Sequence, residues 1–246
     1  MLTDRTSESA AVVFLLDVDN TLLDNDRFGS DLSDTLDAAF GEAERERYWA
    51  IYEELRQIGG VADYLGALQR FRSGLDNEPS LLQMSNYLLE YPFATRLYPH
   101  ALDTVAHLRT LGTTVILSDG DVVFQPRKIQ RAGLWQALRG EVLVYVHKQQ
   151  MLVAMQQRYP AAHYVMVDDK PQILAAMKQR MGHRLTTVFV RQGHYAAAAA
   201  TEAIDPAPDI TIARIGDLRG RKLDDFLPAA PVIALAADGT SPRNPL

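Results

Sequence analysis

Acidic residues follow directly on an apolar stretch near the start of the chain. The segment VVFLLDVDNTLLDND (12–26) places Asp17 and Asp19 two residues apart, just after a run that would be buried as a strand. Later apolar runs also end in polar residues: Ser118, Asp119 and Gly120, then Lys148, then Asp168 and Asp169. Carboxylates repel one another, and burial raises the cost of charging them, so such a cluster requires a cation.

These residue types favour magnesium and phosphate. The chain has no cysteine, so a metal would be held by oxygen or imidazole. Magnesium binds a few carboxylates and otherwise keeps water and the phosphate oxygens of a substrate. A lysine beside such a site suits the charge that a phosphoryl group carries during transfer. The residues therefore indicate chemistry on a phosphate group.

Strands and helices alternate along the part of the chain that carries these residues. Continuous apolar, β-branched runs predict strands buried on both faces at 11–17, 113–119, 141–146, 163–169, 185–190 and 209–214. Helical spacing predicts helices at 100–112 and 170–182. The expected fold is α/β, with a doubly wound parallel sheet whose ligands bind at the carboxyl ends of the strands.

A long insertion separates the first predicted strand from the second. Residues 24–97 contain no convincing strand and divide into four helical segments, 31–41, 43–60, 61–74 and 78–92. An insertion at this point would cover the site. We therefore predict a core formed by residues 11–23 and 98–220, a helical cap formed by 24–97, and a weakly structured tail over 221–246.

Several residues near the site are interpreted as structural. Asp24 and Asp26 would mark the solvated exit into the cap, and His147 and His194 would be ordinary imidazoles. Helical spacing places three aromatic residues in the apolar core of the cap: Tyr48, Trp49 and Tyr52.

Four short motifs resemble those of the haloacid dehalogenase-like hydrolase superfamily. In chain order they are DVDNT (17–21), LSDG (117–120), Lys148 and VDDK (167–170). The segments LYPHALDTVAHLRTLG and SDGDVVFQPRKIQRAGL are similar to the subgroup with a helical cap after the first motif, and the resemblance covers residues 11–215. It implies a Rossmann-like core, an inserted cap and Mg²⁺ as the cofactor.

The resemblance also implies a role for each motif residue. Asp17 would be the nucleophile that becomes a transient aspartyl phosphate, and Asp19 would act as acid and base. Ser118 and Lys148 would complete the catalytic set by binding the phosphoryl group. The metal ligands would be Asp17, Asp19, Asp168 and Asp169, with direct and water-mediated binding by the last two left open. Substrate binding is assigned to Thr21, Asp119, Gly120 and, because it follows the first motif closely, the cap residue Arg27.

Residue types discriminate between reactions of the superfamily. Haloacid dehalogenases lack an acid two residues after the nucleophile, where this chain has Asp19, and phosphonate cleavage uses a cap lysine, which residues 24–97 lack. The expected reaction is Mg²⁺-dependent hydrolysis of a phosphate monoester. The alternatives are a phosphotransferase or phosphomutase of the same superfamily and a non-catalytic regulatory protein that retains the fold; intact motif residues count against the latter.

Charge and hydropathy bear on partners and location. A net charge of -6 argues against nucleic-acid binding, which needs clustered Lys and Arg. The chain shows neither a signal peptide nor an apolar run of about 20 residues, the length that spans a bilayer. We expect a cytoplasmic protein with a small phosphorylated metabolite as its partner and no membrane contact. No feature of the sequence predicts an oligomeric state.

Overall fold

A six-stranded parallel sheet forms the centre of the molecule. The computed structural model describes residues 10–60, 62–75, 79–198 and 203–228. Its strands are β1 (Ala10–Leu16), β2 (Thr113–Asp119), β3 (Val142–Tyr145), β4 (Ala161–Asp168), β5 (Leu185–Val190) and β6 (Ile210–Ile212). They lie in the order β3-β2-β1-β4-β5-β6, and every neighbouring pair is parallel. All six predicted strands are present, and the predicted doubly wound α/β sheet is confirmed.

The first strand lies in the interior of the sheet. β1 lies between β2 and β4, so both of its edges are paired. Val12, Phe14 and Leu16 pack into one apolar cluster, whereas Val13 and Leu15 pack into a second. Side chains alternate between the two faces of a strand, so both faces of the sheet are covered. Burial on both sides explains why this segment is continuously apolar.

Four α-helices lie in the described part of residues 24–97, which follow β1. They are α1 (Asn25–Phe40), α2 (Glu42–Gly59), α3 (Tyr64–Phe71) and α4 (Pro79–Glu90), and we call residues 24–97 the insert. The insert leaves and rejoins the sheet at neighbouring points, because Leu23 forms an antiparallel bridge with Leu97. The two linkers therefore lie side by side at the carboxyl end of β1.

Helix α1 begins earlier than the predicted segment, which starts at Asp31. The Asp24 side chain accepts a hydrogen bond from the backbone N–H of Arg27 at 2.9 Å and caps the helix at Asn25. An aspartate at this position stabilises a helix start because it satisfies a free N–H group. Asp24 is thus a helix cap, where the sequence interpretation placed only a solvated exit.

Aromatic residues form much of the interior of the insert. Tyr48 is fully buried, as predicted, and its hydroxyl donates to the carbonyl of Tyr64 at 3.0 Å. Trp49 is partly buried, and its indole N–H donates to the hydroxyl of Ser33 at 2.9 Å. Both polar groups have partners, as buried aromatic residues of these types require. Tyr52 is partly buried against the same apolar cluster, with its ring edge-on to Trp49 at 5.2 Å between centroids.

The remaining helices cover the two faces of the sheet. They are α5 (Ala101–Leu111), α6 (Phe124–Arg131), α7 (Leu134–Ala137), α8 (Leu152–Arg158), α9 (Pro171–Met181) and α10 (Gly193–Ala198). Leu108 of α5 and Phe124 of α6 join the cluster that contains Phe14. Met155 of α8 and Leu174 of α9 join the opposite cluster. The predicted helices 100–112 and 170–182 correspond to α5 and α9.

The chain is ordered beyond residue 220, which corrects the predicted start of a weakly structured tail. Residues Leu223–Phe226 form a short 3₁₀ helix. The fully buried Phe226 ring packs edge-on against Phe14 at 5.2 Å between centroids, and its carbonyl accepts from Thr186 Oγ1 at 2.7 Å. Residues 229–246 lie outside the described residues. Among the helices of the described ranges, none combines the length and apolar character that crossing a bilayer requires.

Candidate active site

The carboxyl ends of four neighbouring strands bring the predicted site residues together. Asp17 follows β1, Asp119 ends β2, and Asp168 and Asp169 lie at the end of β4. Lys148 follows β3 and begins a 3₁₀ turn, Lys148–Gln150. Because all these strands are parallel, their carboxyl ends lie at one edge of the sheet. Residues far apart in sequence therefore meet there.

Lys148 lies at the centre of this group. Its side chain is buried, with Nζ 2.5 Å from Oδ1 of Asp17 and 2.6 Å from Oδ2 of Asp168. Its backbone N–H donates to Oδ1 of Asp119 at 2.6 Å. Burial acts to lower the pKa of Lys148, but the carboxylates of Asp168 and Asp17 outweigh it and raise the pKa above its ordinary value. Lys148 is therefore charged and bound to two carboxylates.

Three carboxylates form a compact buried cluster. Ligand-type oxygens of Asp17, Asp168 and Asp169 lie within 4.8 Å of one another. Burial raises the pKa of Asp169 to about 9, and the Asp168 and Asp17 carboxylates add to this effect. Burial also raises the pKa of Asp17 to about 7, against the opposing effect of the Lys148 ammonium. The ammonium groups of Lys148 and Lys170 both act on this cluster, and the three acids still outnumber the two lysines.

The burial of the Asp169 carboxylate bears on whether this cluster suits a cation. Both of its carboxylate oxygens are buried, and neither has a hydrogen-bond partner among the residues that the structure describes. A buried carboxylate without partners is costly unless a cation binds it. Asp17, Asp168 and Asp169 supply only oxygen ligands, the type that hard divalent cations prefer. This donor set therefore fits a magnesium ion.

Asp19 belongs to a second group of contacts. Both of its carboxylate oxygens accept from Nζ of Lys128, at 2.9 and 3.0 Å, and Oδ2 also accepts from Nε2 of Gln125 at 3.2 Å. Lys128 and Gln125 lie on α6 and are both buried. Sequence reasoning did not identify either residue. Their spacing, three positions apart on one face of a helix that follows the second motif, was the available signal.

Ser118 and Thr21 are buried beside these groups. The Ser118 hydroxyl accepts a hydrogen bond from Nε2 of Gln125 at 3.1 Å and donates one to the carbonyl of Asp119 at 3.2 Å. The hydroxyl of Thr21 is buried and has no hydrogen-bond partner within the described ranges. The two hydroxyls thus differ. Ser118 is held in place by Gln125, which also contacts Asp19, whereas the Thr21 hydroxyl has no partner among the described residues and can bond a ligand.

A cavity of about 270 Å³ opens above the strand ends. The sheet side contributes Asp19, Asp119 and Gly120, three of the residues that the sequence assigned to the site. Lining residues that sequence reasoning did not assign to the substrate come from both sides: Tyr52, Arg56 and Gly60 of the insert, and His147, Lys170 and Tyr195 of the core. The insert thus forms one wall of the cavity.

Arg27 is not brought to this cavity. Its guanidinium pairs with Asp31 at 3.0 Å, and its side chain is 59% exposed. Asp31, one helical turn further along α1, holds the guanidinium at the surface of that helix. Arg56, near the end of α2, is the arginine of the insert that lines the cavity. Its Nε and Nη2 atoms donate to Glu53 at 2.8 and 2.9 Å.

Asp26 and His194 also differ from the sequence interpretation. Nδ1 of His194 lies 2.5 Å from Oδ1 of Asp26, and the backbone N–H of His194 donates to Oδ2 at 2.8 Å. Asp26 further accepts from Nδ2 of Asn20 at 3.0 Å. Asp26 therefore links the first-motif loop to the start of α10, and His194 lines the cavity.

Comparisons with known proteins agree with this arrangement. Residues 12–179 match the family model "haloacid dehalogenase-like hydrolase". A haloacid dehalogenase-like hydrolase from Burkholderia xenovorans LB400 is 55% identical, with 86% of this chain and 98% of that chain covered and a TM-score of 0.80. No functionally curated protein shows significant similarity.

More distant solved structures share the fold alone. The L-2-haloacid dehalogenase of Xanthobacter autotrophicus is 20% identical over 84% of this chain and 96% of that one, with a TM-score of 0.55. The HAD-hydrolase YfnB of Bacillus subtilis, bound to magnesium, is 16% identical over 85% and 96%, with a TM-score of 0.56. The family match over most of the chain, the close relative and the positions of the four motifs lead to one conclusion: this chain belongs to the haloacid dehalogenase-like hydrolase family.

Proposed function

We propose that the protein is a Mg²⁺-dependent phosphatase that hydrolyses a small-molecule phosphate monoester through an aspartyl phosphate. The observation that carries this proposal is the buried cluster around Asp17, in which Lys148 and the two acids after β4 converge on one carboxylate. A carboxylate in this position can attack a phosphoryl group. The lysine ammonium and a metal ion bound by the neighbouring acids would offset the negative charge of that group.

The metal would be held by Asp17, Asp168, Asp169 and the backbone carbonyl of Asp19. The unpartnered oxygens of Asp169 support this assignment most directly. When bound, Mg²⁺ offsets the negative charge of the carboxylates and of the phosphoryl oxygens. The magnesium in the B. subtilis structure belongs to that protein, with which this chain shares the fold.

Two steps account for the proposed reaction. A carboxylate oxygen of Asp17 bonds to phosphorus, and the bond from phosphorus to the ester oxygen breaks with its electron pair on that oxygen, which takes a proton from Asp19. Asp19 then removes a proton from a water molecule that attacks phosphorus, and the Asp17–phosphorus bond breaks to release phosphate. Lys148 and Ser118 bind the phosphoryl oxygens throughout. Asp19 ends the cycle with the proton it began with.

Asp19 distinguishes this reaction from dehalogenation, which needs no acid to protonate a departing halide. The absence of lysine from residues 24–97 argues against a Schiff base in the insert and hence against phosphonate cleavage. The insert arginine that faces the cavity, Arg56, takes the substrate-binding role first assigned to Arg27. The cavity volume of about 270 Å³ suits a small ester.

The test is hydrolysis of p-nitrophenyl phosphate with Mg²⁺, compared with EDTA-treated protein. Wild-type protein and Asp34→Asn, which changes an exposed aspartate of α1, should both be active, and Asp17→Asn should be inactive but folded. Dehalogenation of 2-chloropropionate is measured in parallel. Dehalogenation without phosphatase activity, or phosphatase activity that survives Asp17→Asn, would refute the proposal.

A further inference from the structure

Lys128 lies at the junction of the sheet and the insert, and its side chain is completely buried. Nζ contacts both oxygens of Asp19, at 2.9 and 3.0 Å, and Oδ1 of Asn25 at 2.9 Å. A lysine ammonium has three donors. All three donors therefore have acceptors, two on Asp19 of the first-motif loop and one on Asn25, the first residue of α1.

Four aromatic rings surround the same ammonium. Their centroids lie 5.6–5.7 Å from Nζ of Lys128, a distance at which the face of a ring attracts a cation. Phe124 belongs to α6, the helix of Lys128 itself, and the other three belong to the insert: Phe28, Tyr64 and Phe93. The insert thus supplies most of the environment of a lysine that comes from the core.

A chain of hydrogen bonds extends from Asp19 into the insert. Lys128 joins Asp19 to Asn25, and Nδ2 of Asn25 donates to the hydroxyl of Tyr64 at 3.3 Å. Tyr64 is the first residue of α3 and is 3% exposed. The position of the Asp19 carboxylate is therefore linked, through Lys128, to the packing of α1 and α3.

Fold stability alone does not account for a lysine at this position. Enclosing a charged ammonium in an apolar environment costs free energy, and a buried ion pair is often no more stabilising than apolar residues of similar volume. Apolar residues in place of both Lys128 and Asp19 would keep the packing and avoid that cost. What only the lysine supplies is a fixed, charged contact to Asp19.

We propose that Lys128 is a positioning residue for Asp19. It holds the carboxyl group of Asp19 at the base of the cavity, in place to give its proton to the leaving oxygen and then to take one from water, and it makes that position depend on the packing of the insert. Lys128 touches neither substrate nor metal in this role and acts through Asp19. The inference rests on the proposed function, in which Asp19 protonates the leaving group.

The test uses the dependence of the reaction on the leaving group. Protonation by an acid matters most for a poor leaving group such as an alkoxide and least for p-nitrophenolate, which departs unprotonated. The kcat/KM value reports the steps up to leaving-group departure. It is measured with Mg²⁺ for p-nitrophenyl phosphate, phenyl phosphate and an alkyl phosphate, for wild type, Lys128→Met, Tyr64→Phe and Lys222→Met.

Lys128→Met should lose about 10²-fold in kcat/KM on the alkyl phosphate and less than about tenfold on p-nitrophenyl phosphate. Tyr64→Phe removes only the hydroxyl at the end of the hydrogen-bond chain and should show the same trend with a smaller loss. Lys222→Met changes an exposed lysine and should match wild type on every ester. Equal losses across the series for Lys128→Met, or no loss, would overturn the inference.

An inactive wild-type protein and an unfolded Lys128→Met variant would each lead to a different conclusion. If wild-type protein hydrolyses none of the esters, the proposed function fails, and crystal structures of wild type and Lys128→Met then decide the inference: an Asp19 carboxylate that keeps its position without the ammonium overturns it. If Lys128→Met does not fold, Tyr64→Phe provides the leaving-group comparison, and a flat profile for that variant overturns the link to the insert.

Discussion

The ammonium of Lys148 lies 2.5 Å from Oδ1 of Asp17, although 131 positions separate the two residues in the sequence. The same ammonium lies 2.6 Å from Asp168. This contact joins the ends of β1, β3 and β4 and makes Lys148 the counter-charge for two buried carboxylates. Substitutions at these residues should therefore change the stability of the folded protein as well as its activity.

Replacing Lys148 with methionine leaves Asp17 and Asp168 buried without their counter-charge. Breaking a buried ion pair in this way costs about 3 kcal/mol or more, so the metal-free free energy of unfolding at pH 7.5 should fall by that amount. Urea denaturation followed by circular dichroism measures it. The exposed Lys222→Met should change the free energy by no more than about 0.5 kcal/mol. Equal effects of the two variants would show that Lys148 is not the counter-charge.

The stability of the metal-free protein should fall as the pH rises. The pKa values of Asp17 and Asp169 are about 7 and about 9 in the folded protein, against an ordinary value of 3.8. Both are raised, so the folded state holds protons that the unfolded state has released. The stability that these two groups contribute is complete below about pH 4 and is lost as the pH passes through about 7 and about 9.

The control for this pH dependence is Asp169→Asn, which removes one titrating carboxyl group. In the absence of metal, this variant should be more stable than wild type at pH 8 and should show a shallower pH dependence. Magnesium should stabilise wild type at pH 8 and stabilise Asp169→Asn much less, because one metal ligand is gone. Thermal unfolding at several pH values, with Mg²⁺ or EDTA, measures both effects. A magnesium response that is unchanged in the variant would contradict the assignment of Asp169 as a ligand.

Arg56 and Arg27 form a matched pair for substrate binding. Arg56 lines the cavity, and Arg27 instead pairs with Asp31 on the surface of α1. Arg56→Ala should raise KM about tenfold with little change in kcat, as expected when a charged hydrogen bond made equally in the ground and transition states is lost. Arg27→Ala should leave both constants within about twofold. Steady-state kinetics on the best ester found for the wild type separates the two; a larger KM effect at Arg27 would reverse the assignment.

Gly60 and Gly74 form a matched pair for the contact between insert and core. Both have positive φ, +73° and +86°, so either alanine variant carries a conformational cost of about 1 kcal/mol. A Cβ at Gly60 would lie 2.4 Å from Cε1 of His147, whereas at Gly74 no atom of another described residue beyond its chain neighbours lies within 4 Å. Gly60→Ala should therefore displace His147 from the cavity and change KM, and Gly74→Ala should not. Similar kinetics for both variants would show that this contact does not shape the cavity.

The sheet and the residues at its edge were predictable for a local reason. Burial on both faces of a parallel strand requires a continuous apolar run, and such a run can be recognised within seven residues, as in Ala10–Leu16. The polar residues directly after these runs, such as Asp17 and Asp169, follow from the strand ends. The order of these residues along the chain is what makes the sequence resemble a known family.

The helix faces around the cavity were not predictable in this way. Arg27 and Arg56 both lie on amphipathic helices of the insert, and the choice between them depends on how α1 and α2 dock against the sheet. Phe226 lies in a segment without helical or strand periodicity, yet it is buried because its ring meets Phe14 across the fold. Contacts between distant segments leave no local pattern.

The sequence by itself predicted that Asp17, Lys148 and the two acids Asp168 and Asp169 meet at the strand ends, because strand periodicity and motif order are carried by short segments. Only the tertiary structure decided that Lys148 binds Asp17 and Asp168 together, that Lys128 holds Asp19, and that Arg56 faces the cavity. The physical reason is that the role of a buried charge depends on the partners that packing brings within about 3 Å. Those partners come from separate elements of the fold.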